Sequence, residues 1–243
     1  MTRRRFFAPP SAFNFGKQTV TLASDEARHL REVLRLKPGD EVQVFDGAGK
    51  EFRAAVAQAR REFAELELRD EIAPMRLESP LELTMAVALL KGEKFDLVVQ
   101  KGTELGVNRF IPMITRHADI RLRDEGDAAK RVTRWQRIAL EAAKQSGRAV
   151  VPEVMLPLSF ASIILENSCF LFSEREGQPL DTDLQTKSMT AIIGSEGGWS
   201  DEELDQARAA GVPIVTLGGR ILRAETAAIA IAALLQHRYG DLK

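Results

Sequence analysis

Two glycine-rich loops near the end of the chain have the residue types that most directly suggest chemistry. The first is Gly194-Ser195-Glu196-Gly197-Gly198, and the second, residues 217–226, contains Gly218, Gly219, Arg223 and Glu225. Glycine has no Cβ, so backbone N–H and C=O groups in such loops can approach a ligand closely. A single loop of this kind is more often a tight turn. Two loops in succession, the second of which also contains Arg220, Arg223 and Glu225, favour a binding site.

The segments around these loops predict strands and helices that hold them at one edge of a sheet. Residues 189–193 and 212–217 are short apolar runs typical of buried parallel strands, and open α/β sheets bind ligands where such strands end. Between the loops, Ser200 and Glu203 have the spacing of a helix capping box, and Gly211 ends the helix. Residues 225–239 predict a further helix, apolar nearly all round and therefore buried on several sides.

Strands and helices alternate from Leu81 onward, which predicts an α/β fold with a parallel sheet covered by helices on both faces. The further predicted strands are residues 81–90, 109–114 and 169–172, and the further predicted helices are residues 93–105, 127–146 and 160–165. A dinucleotide-binding Rossmann fold would carry its glycine fingerprint after the first of these strands. The segment Lys91-Gly92-Glu93-Lys94 has a single glycine there. The expected ligand cleft therefore lies at the later strands.

The first third of the chain predicts a smaller, β-rich domain. Apolar residues recur with a period of two, as at Val42 and Val44, which is typical of antiparallel strands. The pattern lapses between Pro74 and Pro80. We therefore expect one domain over residues 1–73 and a second over residues 74–243.

A helix is expected within the first domain over residues 24–36. Ser24 is its expected N-cap, and Leu30, Val33 and Leu34 are expected to share its apolar face.

Six arginines of this domain are candidates for RNA contacts: Arg3, Arg4, Arg5, Arg28, Arg31 and Arg35. The first three stand beside two phenylalanines, a combination that suits phosphate contacts and base stacking. The other three line one face of the predicted helix, although such a face is usually just solvated. The net charge of the chain is −1, so RNA binding has to come from local basic patches.

Composition argues against several classes of function. The 243 residues are 44% apolar and 28% charged, as in ordinary globular proteins. Cys169, the only cysteine, lies in an apolar run, so we expect a buried structural thiol and no disulfide. His29, His117 and His237 lack metal-ligand spacing, and we expect no metal. No apolar run has the length of a membrane span and no signal peptide is recognisable, so the expected location is the cytoplasm.

Four segments together resemble the RsmE family of small-subunit ribosomal RNA uridine-N3 methyltransferases, within the SPOUT superfamily. They are residues 101–107, 135–148, 194–198 and 217–227, and the resemblance extends to residues 29–35 near the start of the chain. It thus spans nearly the whole sequence. In the family, proline usually follows the first glycine of the loop at 194–198. This chain has Ser195 there, so a stiff residue is absent from the loop.

The resemblance implies an N-terminal PUA-like domain and a SPOUT methyltransferase domain, whose C-terminal part forms a trefoil knot that binds S-adenosylmethionine. It also implies a homodimer acting on N3 of a uridine in 16S ribosomal RNA of the small subunit. Arg223 is our candidate for stabilising the charge that develops on the uracil oxygens. Glu225 is a weaker candidate for the general base, and a role as a carboxylate that favours the N-terminus of a helix fits it at least as well. The implied cofactor contacts are Leu171, Phe172, Gly194, Glu196, Gly197, Gly198, Leu217, Gly218, Ile221, Leu222 and Thr226.

Two other functions fit parts of this pattern. One is an RNA-binding or ribosome-assembly factor that holds the cofactor without transferring a methyl group. The other is methylation of transfer RNA, or of a ribose, by a different branch of the same superfamily. The motif match favours methylation of a ribosomal RNA base over both.

Overall fold

A computed structural model of the chain describes residues 4–120, 122–180 and 186–243. Arg3, one of the candidates for RNA contacts, lies outside these described residues. The fold has two compact units. Unit 1 comprises the residues through Glu78 together with Ala143–Val151, and unit 2 comprises Ser79–Ala142 and Pro152–Lys243.

Unit 1 is built on a six-stranded sheet with the order β1-β4-β5-β6-β3-β2. β1 pairs parallel with β4, and the other pairings are antiparallel. The strands are β1 (Arg5–Phe7), β2 (Phe13–Asn14), β3 (Thr19–Leu22), β4 (Glu41–Phe45), β5 (Glu51–Ala59) and β6 (Ala64–Ile72). Sequence periodicity predicted β4 to β6 but missed the first three, which are short and lack a clear alternation.

The helical segment of unit 1 differs from its prediction. α1 covers Ser24–Arg28 and continues as a π-helix over His29–Val33, and its N-cap is Ala23, without a side-chain cap, so the prediction of Ser24 as N-cap is wrong. Because a π turn is wider than an α turn, it changes which positions face the core. Leu30 is fully buried, whereas Val33 is 65% exposed, against the predicted apolar face.

Arg5 is part of the interior of unit 1. Its guanidinium donates to both carboxylate oxygens of Glu51, at 2.8 and 3.1 Å, and to the carbonyl oxygen of Arg148 at 2.9 Å. It also stacks 3.9 Å from the ring centroid of Phe45. The predicted RNA contact at Arg5 is therefore wrong, because the side chain is buried and holds the sheet to the backbone at Arg148.

Unit 2 is built on a seven-stranded sheet in which every recorded pairing is parallel. Its order is β10-β8-β7-β12-β11-β13, with β9 also paired to β8. The strands are β7 (Glu82–Ala88), β8 (Arg109–Ile114), β9 (Glu153–Val154), β10 (Leu158–Ser159), β11 (Cys169–Phe172), β12 (Ser188–Ile193) and β13 (Ile214–Val215). The predicted α/β class with a smaller β-rich unit is confirmed.

The remaining helices are α2 (Lys94–Glu104), α3 (Glu125–Ser146), α4 (Phe160–Ile163), α5 (Asp201–Ala209) and α6 (Ala224–Tyr239). The predicted capping box of Ser200 and Glu203 is present at the start of α5. α6 buries Ile231 and Leu235 but leaves Leu234 45% exposed. Within the single chain it is therefore buried on one side and not on several.

Cys169 has the predicted structural role. It is buried, and its thiol donates a hydrogen bond to the carbonyl oxygen of Ile163 at 3.3 Å. Burial is the main cause that raises its pKa to about 11, and the negative charge of Glu166 adds to it. A thiol that stays protonated near neutral pH is a poor nucleophile. Within the ranges described above, no helix is long and apolar enough to cross a membrane.

The buried ion pair in unit 1 gives a stability test. Arg5→Met leaves the carboxylate of Glu51 buried without its partner, and we expect a loss of about 3–5 kcal/mol in the free energy of unfolding. Arg53→Met is the control, because the Arg53–Asp70 pair is exposed, and we expect it to cost less than about 1 kcal/mol. Urea unfolding measures both. A similar small loss for the two variants would contradict the structural role of Arg5.

Candidate active site

The carboxyl ends of the parallel strands bring the two glycine loops together at one edge of unit 2. Ile193, the last residue of β12, is in register with Val87 on one side and with Phe172 on the other. Phe172 is in turn in register with Val215. The loops that follow β7, β11, β12 and β13 therefore start at the same level of the sheet, where α/β folds bind their ligands.

Trp199 fixes the start of the first glycine loop. Its indole N–H donates to the carbonyl oxygen of Phe172 at 2.8 Å, and its side chain is buried. A Cβ on Gly194 would lie 3.2 Å from Cε2 of this ring. A side chain directly after β12 would therefore push against the Trp199 ring, which a glycine avoids. The side chains of Leu171 and Phe172 are themselves buried, so a cofactor contact at these two residues would go through backbone atoms.

His117 packs against the same loop from the end of β8. Its Nδ1 lies 3.2 Å from the carbonyl oxygen of Gly197, and a Cβ on Gly197 would come within 2.8 Å of the His117 Cβ. Gly198 has a φ of +68°, and a Cβ there would meet the Glu174 carboxylate at 2.7 Å. Gly197 is therefore favoured by its close contact with His117, and Gly198 by its positive φ angle.

The second glycine loop is open to solvent. Gly218 and Gly219 have φ angles of +66° and +74°, and no atom lies within 4 Å of a Cβ built on either. Leu217, Ile221 and Leu222 are 39%, 84% and 37% exposed. This loop therefore presents bare backbone and apolar side chains, a combination that suits an aromatic or aliphatic ligand group.

Lys94, at the start of α2, interacts electrostatically with a carboxylate from each of the two glycine loops. Its Nζ donates to Glu196 Oε1 at 2.7 Å and lies 3.8 Å from Glu225 Oε2. The hydrogen bond to Glu196 is the largest cause that raises the pKa of Lys94, and the charges of Glu196 and Glu225 act the same way, against the opposing effects of burial and of Arg223. Arg223 is exposed and is the N-cap residue of α6. The site thus contains two cations and two carboxylates.

Three buried polar atoms at this edge have no hydrogen-bond partner among the described residues: Thr115 Oγ1, Ser195 Oγ and Glu225 Oε2. Buried polar atoms are nearly always hydrogen-bonded in folded proteins. Thr115 directly follows β8, Ser195 lies in the first loop, and Glu225 begins α6 after the second. Polar groups of a bound ligand would supply the partners that Thr115 Oγ1 and Ser195 Oγ lack, and Glu225 Oε2 lies 3.8 Å from the Lys94 ammonium.

The remaining arginines proposed for RNA lie on the surface of unit 1. Arg4 is 3.7 Å from Asp40, Arg28 is 3.7 Å from Asp25, and Arg31 donates to Glu32 at 2.6 Å. Such exposed ion pairs are weak, so phosphate groups can compete for these side chains. Arg35 is exposed as well. These four positions stay predictions for RNA contacts.

Lys94 and His117 are the site residues that the sequence reasoning missed. The segment Lys91-Gly92-Glu93-Lys94 does not match a Rossmann fingerprint, so it did not predict a site at Lys94. His117 lacks metal-ligand spacing, so its sequence context did not predict a site either. Both residues follow the end of a predicted parallel strand, and this position in the sequence is the signal that could have predicted their place in the site. Thr226 is exposed on the first turn of α6. In the part of the chain that the structure describes, no group of three or more His, Cys, Asp or Glu side chains could hold a metal ion.

Comparison with known proteins identifies both units. The RNA methyltransferase domain family matches residues 77–236, and the RNA methyltransferase PUA domain family matches residues 22–69. The class of protein is therefore an RNA methyltransferase with a PUA domain. Ribosomal RNA small subunit methyltransferase E of Synechocystis is 37% identical over 219 residues, which cover 86% of this chain and 70% of that protein. The same enzyme of Rickettsia conorii is 30% identical and covers 88% of each chain.

A solved structure agrees with these relatives. The crystal structure of a ribosomal RNA small subunit methyltransferase E from Neisseria gonorrhoeae, bound to S-adenosyl methionine, matches with a TM-score of 0.87 and 35% identity. The match covers 99% of this chain and all of that one. The chain belongs to the ribosomal RNA small subunit methyltransferase E family, the family that its sequence motifs resemble.

The ion pair between Lys94 and Glu196 predicts a pH dependence of stability. Burial would raise the pKa of Glu196, but the hydrogen bond and the charge of Lys94, together with backbone hydrogen bonds from Glu196 and Lys91, outweigh it and lower the pKa below 4.5. The pair therefore stabilises the fold fully above pH 4.5, and this contribution is lost as the pH falls through the lowered pKa. The raised pKa of Lys94 keeps the contribution until the pH rises through a value above 10.5.

The test measures the free energy of unfolding of the wild type and of Glu196→Gln by urea unfolding, from below pH 4.5 to above pH 10.5. We expect the wild type to be more stable than Glu196→Gln between the lowered pKa of Glu196 and the raised pKa of Lys94. Outside these two pKa values, the difference in stability should disappear. A difference that does not change with pH would show that the ion pair is not its source.

Proposed function

We propose that this chain transfers a methyl group from S-adenosylmethionine to N3 of a uridine in 16S ribosomal RNA of the small subunit. The observation that carries the proposal is the gathering of two glycine loops, Lys94, Arg223 and Glu225 at one edge of a parallel sheet. The Neisseria relative with the same fold binds S-adenosyl methionine. The relatives act, by their names, on the RNA of the small ribosomal subunit.

The residues at this edge fit S-adenosylmethionine. Bare backbone at Gly218 can approach its polar groups, backbone N–H and C=O groups of Gly194, Gly197 and Gly198 are further proposed partners, and the unpartnered Ser195 Oγ offers a hydrogen bond. The exposed side chains of Leu217, Ile221 and Leu222 suit its adenine ring. The full proposed set of contacts adds Leu171, Phe172, Glu196 and Thr226.

The proposed chemistry divides between the cofactor and two side chains. When bound, the cofactor supplies an electrophilic methyl group on a sulfonium sulfur. Uridine N3 holds its proton at neutral pH, so the chain has to remove that proton and stabilise the resulting charge. Glu225, as general base, accepts the N3 proton. Arg223 stabilises the negative charge that develops on the uracil oxygens.

The proposed substrate fits the charge distribution of the chain. A net charge of −1 gives no global attraction to RNA, so the exposed Arg4, Arg28 and Arg35 and the half-buried Arg31 of unit 1 would supply local phosphate contacts. Binding should weaken with salt, since neutralised phosphates release their counterions. We propose that the enzyme recognises the shape of a folded ribosomal particle, which places its action in the cytoplasm.

We further propose that unit 2 is a SPOUT domain with a trefoil knot at its C-terminal end and that the protein is a homodimer. The strand order β7-β12-β11-β13, which puts the late strand β12 between β7 and β11, supports the first proposal. The exposed apolar side chain of Leu234 on α6 supports the second, since a partner would cover it.

The direct test of this function uses small ribosomal subunits from cells that lack the modification. The protein is incubated with them and with S-adenosylmethionine carrying a labelled methyl group, and the RNA is digested to nucleosides. We expect the label in 3-methyluridine of 16S RNA. Label in a ribose, or in transfer RNA only, would contradict the proposed substrate, and cofactor binding without any transfer would contradict the enzymatic function.

Arg223 gives a test of the catalytic assignment. Arg223→Ala removes a charge that acts mainly on the transition state, so we expect kcat to fall about 10²–10³-fold while the Kd for the cofactor changes little. Arg220→Ala, in the same exposed loop, serves as the matched control and should lose much less rate. If Arg223→Ala instead loses cofactor affinity as strongly as rate, Arg223 is a cofactor ligand.

A further inference from the structure

We propose that Lys94 is a positioning residue of the methyl-transfer site, which fixes the carboxylate of Glu225 for removal of the N3 proton. The inference rests on the function proposed above and extends it to a residue that neither of the glycine loops contains. Lys94 begins α2, after β7, and reaches residues that follow β12 and β13.

The first support for this role is the geometry around the Lys94 ammonium. Nζ donates to Glu196 Oε1 at 2.7 Å, which anchors the ammonium in one place. From there it lies 3.8 Å from Glu225 Oε2. Lys94 exposes 32% of its side chain and Glu225 only 13%. The partly shielded setting strengthens the attraction between the two charges relative to an exposed pair.

The second support is that Glu225 needs this cation. Its Oε2 is buried and has no hydrogen-bond partner among the described residues. A buried carboxylate is costly unless an opposite charge or a donor compensates it. The position of Glu225 in the first turn of α6 contributes a favourable helix dipole, and the ammonium of Lys94 contributes the nearest full positive charge recorded for it.

The same contact sets the orientation of the carboxylate. Rotation about the last bond of a glutamate side chain is broad and roughly two-fold, so the bond alone does not fix the two oxygens. Attraction between Lys94 and Oε2 selects one orientation and thereby sets where the other oxygen, Oε1, lies. Lys94 itself is held by its neighbour Phe95, which is buried and packs 4.3 Å, centroid to centroid, from Trp135.

The step that depends on this orientation is the removal of the N3 proton together with transfer of the methyl group. The N3–H bond of uracil breaks and its proton passes to the Glu225 carboxylate. The N3 electron pair forms the new bond to carbon, and the sulfur–methyl bond breaks with its electrons left on sulfur, which becomes a neutral thioether. The proton then leaves Glu225 for solvent. Lys94 exchanges no atom in this step and acts only through Glu225.

The test is a double-variant cycle in the methyl-transfer assay. Lys94→Met, Glu225→Gln and the double variant are compared at saturating cofactor and RNA. We expect Lys94→Met to lower kcat about 10–100-fold and Glu225→Gln to lower it about 10²–10⁴-fold, the range for a lost general base. Because Lys94 acts through Glu225, the double variant should be no slower than Glu225→Gln by more than about 3-fold.

Two further variants separate positioning from a structural role. Lys94→Arg keeps the positive charge and should recover most of the rate that Lys94→Met loses. Lys101→Met removes a cation on the same helix whose ion pair among the described residues lies within the helix, with Glu104 at 2.9 Å, and should keep the wild-type rate. Cofactor Kd and melting temperature are measured for every variant, and Lys94→Gln replaces Lys94→Met if the latter does not fold.

The possible outcomes are distinct. Independent, multiplying losses for Lys94 and Glu225 would overturn the proposal, as would a Lys94→Met variant that loses cofactor affinity but keeps kcat. Either result leaves the proposed function intact. A wild-type protein that forms no 3-methyluridine in the same assay would overturn the proposed function, and the role of Lys94 with it.

Discussion

Parallel pairing of the strands in unit 2 is the constraint on which the site depends. Parallel strands all end at the same edge, so residues from distant parts of the sequence meet there once the register is set. The register of β12 with β7 and β11 is the central one, because it places Gly194 between the loops that follow Ala88 and Phe172. Close packing of Trp199 on Gly194 then fixes the path of the chain away from the sheet.

The charges at this edge are balanced within the site. Lys94 pairs with Glu196 and lies near Glu225, and Arg223 directly precedes α6. The pKa shifts of Lys94 and Glu196 both favour the charged forms. A site in which the charges compensate each other can place a base and a cation close together near neutral pH. That arrangement suits a reaction that removes a proton and stabilises the anion left behind.

The sequence predicted the parts of this structure that depend on local pattern. The capping box at Ser200 and the glycine loops are read from neighbouring residues, and the α/β class follows from alternating elements. Contacts between residues far apart in the sequence could not be predicted from local pattern. Lys94, for example, lies 102 residues from Glu196. The burial of Arg5 was missed for the same reason, since its partner Glu51 lies 46 residues away. The π-helical turn after α1 leaves no signal in hydrophobic periodicity.

The measurement that tests the central claim most directly is a crystal structure of the protein grown with S-adenosylmethionine. The account predicts the cofactor at the carboxyl edge of the seven-stranded sheet, against the backbone of Gly194 and Gly218, with its methyl group facing Arg223 and Glu225. Cofactor bound elsewhere, such as among Glu82, Arg109 and Glu153 at the amino ends of the strands, would contradict the assignment of the site. So would a cofactor at the predicted edge with its methyl group directed away from both catalytic side chains.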